Sequence, residues 1–360
     1  METETQYRVR QWCPIHAKIP DLQSLRHWGS CLKGQWRKAF ERKHGNLLSI
    51  LEVEMQPVVE ALVQYYDLLV RCFTFRDFQI APTLEEYERL LGLPLSESPH
   101  YFHRALIAKL LRVFEVEMSK EKRNRNGLEG IHKIYLEERL LIYGIILFPH
   151  LEDYIDLTAI KVFLTKKERG ENPTMVILAN TYYTLNYCCE RRDESLRCCM
   201  HLLYLWITAH LFHSKGRTTC LVEEFKWSWV KAMSRECWAK RLNGASERII
   251  RWYPSLNERE KMIIRCGRYP NEAINYNPEL TSRQARYPII RALPEETIMP
   301  FVIHGLEGHK GEHHRKIRHV WKNVIKSGIE WGTRSCGTSP SYKDWLTGRT
   351  KLVRLPCGEV

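Results

Sequence analysis

The 360-residue chain contains no Walker-type Gly-x-x-x-x-Gly-Lys, no Gly-x-Gly-x-x-Gly, no Gly-x-Ser-x-Gly and no His-Glu-x-x-His. These absences remove the phosphate-cradling loops, the nucleophile elbow and the helical zinc site that mark many enzyme classes in sequence. Asp-Ser-Gly and Asp-Thr-Gly are missing too, so there is no signature of an aspartic protease. Long hydrophobic runs are also lacking. Leu140 to Phe148 and Leu202 to Phe212 reach about half of the ~20 residues a membrane helix requires, and read as buried helices. Met1 to Gln6 is polar and acidic, without a cationic start and apolar run, so no secretory leader is expected. The 12 cysteines form no Cys-x-x-Cys pair and are expected as reduced, mostly buried thiols.

What is present is a chain with 44% hydrophobic residues, enough for a real core, and a net charge of +13. The placement of that charge is uneven. Residues 1 to 46 hold 9 Lys/Arg against 4 Asp/Glu, residues 301 to 360 hold 11 against 5, and the middle holds 35 against 33. The two ends are basic and the centre is balanced.

Thr83 opens a short helix that Gly92 and Pro94 close, with Thr83 capping the amide of Glu86 while Glu86 reaches back to Thr83. From Pro57, the positions Val58, Val59, Leu62, Val63, Tyr66, Leu69, Val70 and Phe73 fall at three- and four-residue steps and predict one amphipathic helix. Ile107, Leu110, Leu111, Phe114 and Met118 predict another. Lys120 to Gly127 reads as a polar, basic loop, Ile131 to Leu147 as a central helix stopped at Pro149, and Lys166 to Pro173 as an exposed connection. Thr174 to Tyr187 fits helix or strand, with helix favoured, and Leu196 to Phe212 predicts a second central helix. Residues 252 to 300, rich in Pro, Asn and Tyr, predict little regular structure. A last helix runs from His313 to Lys326, with Ile317, Val320, Trp321, Val324 and Ile325 on one face and Arg315, Arg318, His319, Lys322 and Lys326 on the other. The expected fold class is mainly α: a single irregular helical domain with few short strands over residues 36–330. A basic N-terminal arm, 1–35, and a basic C-terminal tail, 331–360, flank it.

Two clusters carry metal-ligand chemistry. Cys188, Cys189, Cys198, Cys199, His201, His210, His213 and Cys220 are the first, but adjacent helical cysteines point about 100° apart, and Leu202, Leu203, Leu205 and Trp206 beside them read as core. Buried thiols account for it better. His304, His309, His313, His314 and His319, with Glu307 and Glu312, form the second; Gly308 and Gly311 favour a polar loop over a rigid site. No metal, cofactor or catalytic residue is assigned. The pairs Glu137 with Glu138 and Asp153 with Asp156 read as solvated faces or caps. The candidate partner-binding residues are Arg315, Arg318, Lys322 and Lys326, with Lys120, Lys122, Arg123 and Arg125. Four phosphate contacts from the first set would give a salt slope of about −3.6 on duplex DNA, roughly a 150-fold loss between 50 and 200 mM salt. Trp28, Trp36, Trp321 and Trp331 lie near basic residues, where tryptophans either stack bases or simply pack.

A set of short motifs resembles one plant family in its order: Arg71 to Phe78 followed by Pro82 to Pro94, Leu141-Ile142-Tyr143-Gly144, Leu147-Phe148-Pro149, Leu203-Tyr204-Leu205-Trp206, Trp227-Ser228-Trp229, Ile250-Arg251-Trp252-Tyr253, Asn275-Tyr276-Asn277-Pro278 and Ile317 to Lys322. The chain resembles the aminotransferase-like plant mobile domain, in the variant carried as a domain of unknown function in transposon-rich plant genomes. The resemblance covers about Trp36 to Lys326. It implies a mostly helical domain of transposable elements and of host proteins derived from them, with nuclear roles in transposon silencing and genome maintenance. It does not imply transamination, because no Schiff-base lysine, pyridinium partner or phosphate cup can be assigned. The expectation is a non-enzymatic interaction domain in or near the nucleus, with nucleic acid or a chromatin-associated protein as partner, no membrane and no assignable small-molecule substrate. The alternatives are a metal-dependent hydrolase or transferase on the His304 to His319 cluster, and an element-derived protein without selected activity.

Overall fold

The computed structural model describes residues 17, 20–94, 122–125, 128–132, 138–149, 154–190, 195–211, 232–252, 280, 283–284 and 337–353. Over these residues the protein is mainly α. The helices are α1 (Gln23–Cys31), α2 (Gly34–His44), α3 (Leu47–Leu51), α4 (Val58–Val63), α5 (Leu84–Leu91), α6 (Glu138–Ile142), α7 (Leu157–Arg169), α8 (Thr174–Glu190), α9 (Met200–Leu211), α10 (Arg235–Asn243) and α11 (Pro340–Val353). Two small antiparallel sheets complete it: β1 (Tyr66–Asp67), β2 (Cys72–Thr74) and β3 (Gln79–Ile80), then β4 (Lys122–Arg125), β5 (Leu128–His132) and β6 (Tyr154–Asp156).

α9 is the centre of the molecule: all its residues except Ala209 are buried, so its apolar composition on every side has a use. It packs on α4 and α5, while α8 covers α5 and α10 covers α4. The α5 capping box forms as expected, with Thr83 Oγ1 accepting from Glu86 N at 3.2 Å and Glu86 Oε2 accepting from Thr83 N at 2.9 Å. Gly92 ends the helix at φ +64°, and its missing Cβ leaves room for the Asn46 side chain, which would otherwise sit 2.8 Å away. Among the described residues, no helix is long and apolar enough to cross a membrane.

Several expectations are corrected. The helix predicted from Pro57 to Phe73 stops at Val63, and the rest folds into a hairpin with Tyr66 opposite Phe73 and Asp67 opposite Cys72. Asp67 Oδ1 accepts from Leu69 N at 3.1 Å and Arg71 adopts φ +50°, so a local turn wins over the helix. Tyr66 and Phe73 are both buried, which is why the helical spacing of apolar residues misled. Within the predicted loop from Lys120 to Gly127, residues 122 to 125 form β4, pairing with β5. The predicted helix from Ile131 to Leu147 divides: Ile131 lies in β5, and α6 runs into one π turn, Tyr143–Leu147, closed by Phe148 N donating to Tyr143 O at 2.9 Å. Gly144 belongs to this turn because Ile155 of β6 occupies the place a Cβ would take.

The expected exposed connection at Lys166 to Pro173 is exposed at Lys167, Glu168 and Arg169, but its first four residues are the last turn of α7, capped by Gly170 at φ +68°, and Lys166 and Asn172 are buried. Asn172 Nδ2 donates to Leu93 O at 2.9 Å and its Oδ1 accepts from Thr174 N at 3.0 Å, tying the end of α5 to the start of α8. α8 is helical as favoured, and α9 begins at Met200 rather than Leu196. Within the basic first 46 residues, α1 and α2 are helical, while residues 1–16, 18 and 19 of the expected basic arm lie outside the described residues. Within the C-terminal segment, α11 docks on the first sheet: Tyr342 and Leu346 pack with Val70, Cys72 and Ala81, and Arg349 meets Asp67 through bonds of 2.6 and 2.7 Å. The predicted helices at 107–118 and 313–326 lie outside the described residues.

Candidate nucleic-acid interface

α2 places a broad cationic face in water. Phe40 and His44 form its buried edge, and Lys38, Arg42 and Lys43 are exposed on the turns that face away, with Lys33 exposed just before the helix. Arg37, nearer the body, is neutralised by Glu41 at 2.8 Å and Glu52 at 3.6 Å. Among the described residues no carboxylate pairs with Lys38, Arg42 or Lys43. Trp36 borders this face and is 74% exposed. The other described tryptophans are buried or half-buried: Trp206 and Trp238 in the core, Trp252 under Arg283 at 3.7 Å, Trp28 edge-on to Phe40 at 5.7 Å and Trp345 stacked near Tyr342 at 5.8 Å.

The positive surface continues onto α7. Lys43 Nζ donates to Lys167 O at 2.9 Å, joining the C-terminal ends of α2 and α7. Lys166 is buried beside this contact and donates to Gly170 O at 3.3 Å; burial first, then Lys43, holds its ammonium below the ordinary lysine value. His44, 3.1 Å from the Tyr143 hydroxyl, is lowered to about 3 by burial and then by the charges of Lys43, Lys166 and Arg139, so its ring is neutral at pH 7. Last-turn cations offset the negative ends of the two helix dipoles, which accounts for Arg42, Lys43, Lys167 and Arg169. That role does not extend to Lys38, in the middle of α2, or to Trp36.

Of the residues singled out by sequence, Lys122, Arg123 and Arg125 lie in β4. Lys120, Arg315, Arg318, Lys322 and Lys326 lie outside the described residues, as does the His304 to His319 cluster. The surface of α2 was foreshadowed by the basic N-terminal charge and by Trp36 among it, but not as a helix face.

The interior offers a contrasting polar centre at Glu86, which is 3% exposed. Its Oε2 accepts from Thr83 N and, at 2.8 Å, from Trp206 Nε1; its Oε1 accepts from His210 Nε2 and Gln284 Nε2, each at 3.1 Å. His210 Nδ1 lies 2.7 Å from Arg251 O, so both ring nitrogens face oxygen atoms of the protein. Burial alone would raise the Glu86 carboxyl, yet the bonds and charge of His210, with Thr83 and Trp206, bring it below the ordinary value. Four donors occupy about the four acceptor sites a carboxylate has, leaving none to take a proton from a substrate. The arrangement ties α5 to α9 and to the chain at 251 and 284.

Of the cysteine cluster, Cys188, Cys198 and Cys199 are buried in the core and Cys189 is half-buried, while His213 and Cys220 lie outside the described residues; burial raises Cys198 and pushes Cys199 up to about 12. His201 is lowered to about 4 by burial and then by Arg26. No group of three or more His, Cys, Asp or Glu side chains among the described residues is placed to hold a metal ion.

In comparison with known proteins, the family model described as Domain of unknown function (DUF7745) matches residues 25–140 and 139–351. No curated protein and no solved structure matches the chain.

Proposed function

Since the chain belongs to the family described as Domain of unknown function (DUF7745), a family whose description assigns no activity, we propose its role from its own surface: a non-enzymatic interaction domain that holds nucleic acid on cationic faces. The observation that carries this reading is the α2 surface, where Lys38, Arg42 and Lys43 stand exposed without carboxylate partners among the described residues. Phosphates are the ligand such a surface fits, because each contact releases a condensed counterion. The basic residues Arg315, Arg318, Lys322 and Lys326, and the strand residues Lys122, Arg123 and Arg125 with Lys120, would extend the contact. The plant mobile domain resemblance belongs to the same proposal, with its transposon origin and nuclear setting.

Binding of labelled DNA and RNA across a salt series tests it. Lys38, Arg42 and Lys43 alone predict a slope of about −2.7 on duplex DNA, roughly 40-fold between 50 and 200 mM salt. Charge reversal at Lys38 and Arg42 should lower the slope, and reversal at Arg315, Arg318, Lys322 and Lys326 should lower it further. Wild-type protein that ignores nucleic acid at low salt removes the reading.

A further inference from the structure

We infer that the α2 surface selects single-stranded nucleic acid over duplex, with Trp36 as the stacking platform for one unpaired base; this rests on the reading above. An exposed tryptophan alone is ordinary on a protein surface. What distinguishes Trp36 is its setting. It is 74% exposed on the same helix as Lys38, Arg42 and Lys43, and its indole makes no ring contact or hydrogen bond among the described residues. From Trp36 to Lys43 the helix advances about 10 Å and comes back to the same side, at ~1.5 Å and ~100° per residue, so the ring and Lys43 are in line, with Arg42 and Lys38 roughly 120° and 160° further round the helix for a wrapping strand of a few nucleotides to reach. Backbone phosphates meet the ammonium and guanidinium groups while an adjacent base lies on the indole, the pairing of charge and aromatic surface that single-strand binding uses. A duplex offers the phosphates alone, because its bases are already stacked on one another and extruding one has an energetic cost. Selectivity by sequence is not expected, since every base has a π face.

The experiment measures anisotropy of a dye-labelled single-stranded oligothymidine of about 15 nucleotides, within the usual site sizes, and of a duplex of equal length. Wild type should prefer the single strand. Trp36→Ala should weaken single-strand binding by roughly 5- to 150-fold, leave duplex binding unchanged and leave the salt slope unchanged. Trp36→Phe should restore most of the loss, which a change in folding would not. Equal affinity for the two forms, preference for duplex, or a Trp36→Ala variant that binds the single strand as wild type does overturns the inference while salt-dependent binding keeps the broader reading. Failure of wild type to bind either oligonucleotide overturns both and leaves a protein partner as the occupant of this face.

Discussion

Replacing Glu86 with Gln keeps the shape of the side chain and removes its charge, at a carboxylate that gathers four donors. The amide oxygen of Gln can accept from two or three of them. Its NH2 group then faces the donors of Gln284 and His210, or of Trp206 and Thr83, so buried N–H groups are left opposed. Removing one partner of a buried hydrogen-bonded charge pair costs about 3–5 kcal/mol. An unfolding entropy of about 2.1 cal/mol/K per residue gives about 0.75 kcal/mol/K for 360 residues, so the expected fall in Tm is roughly 4–7 °C. The pH dependence has a definite sign. The folded carboxyl lies below its ordinary value of 4.5, so its contribution is fully present above 4.5 and is lost as pH falls through the folded value. The Tm gap between wild type and Glu86→Gln should therefore be widest near neutrality and narrow in acid. Calorimetry of both proteins over a pH series measures it. A gap under about 1 °C at pH 7, or one that persists unchanged into strong acid, refutes the assignment of Glu86 as an ionised structural hub.

Arg349→Ala strands the Asp67 carboxylate, 3% exposed, and should cost about 3–5 kcal/mol locally, releasing α11; limited proteolysis should then cut within 337–353 before the body is digested, and an unchanged digest counts against that docking. Gly144→Ala drives a methyl group into Ile155 and should lower stability by about 1–3 kcal/mol, read as the urea midpoint. In the native protein a thiol reagent should label Cys31 and Cys237, which are exposed, and spare Cys72, Cys188, Cys198 and Cys199 until unfolding, as peptide mapping would reveal.

The sequence made local punctuation legible and left distant partnership unreadable. Thr83, Glu86 and Gly92 announce α5 because a capping box and an αL glycine act over three or four residues. The same Glu86 has its other partners at Trp206, His210 and Gln284, and spacing in the chain carries no trace of them. Tyr66 to Thr74 was misread because a hairpin buried on both faces presents apolar residues as densely as a helix does, and only the Asp67 turn decides between them. Net charge predicted that the N-terminal segment would be basic. It could not place Phe40 and His44 inward and Lys38 and Arg42 outward, since that follows from α2 lying on the body of the protein.

The ionisable groups divide into two populations, and that division connects the fold to the proposed function. At three sites within the protein, acidic and basic groups meet at bonding distance: Glu86 with His210, Asp67 with Arg349, and Arg283 with Glu247 at 2.5 Å. Pairs of this kind fix segments far apart in the chain, and their hydrogen bonds are spent on holding them. On α2 the opposite holds for three of the cations: Lys38, Arg42 and Lys43 are exposed and, among the described residues, unpaired with carboxylates, on the same helix as an exposed indole. Groups already saturated within the fold have little left to offer a substrate, whereas Lys38 and Arg42 can exchange water for phosphate without giving up a carboxylate partner, and Lys43 gives up only its bond to the Lys167 carbonyl. A ligand that is polyanionic and carries unstacked aromatic faces meets both features of the helix at once, and single-stranded nucleic acid is the biological polymer with that chemistry.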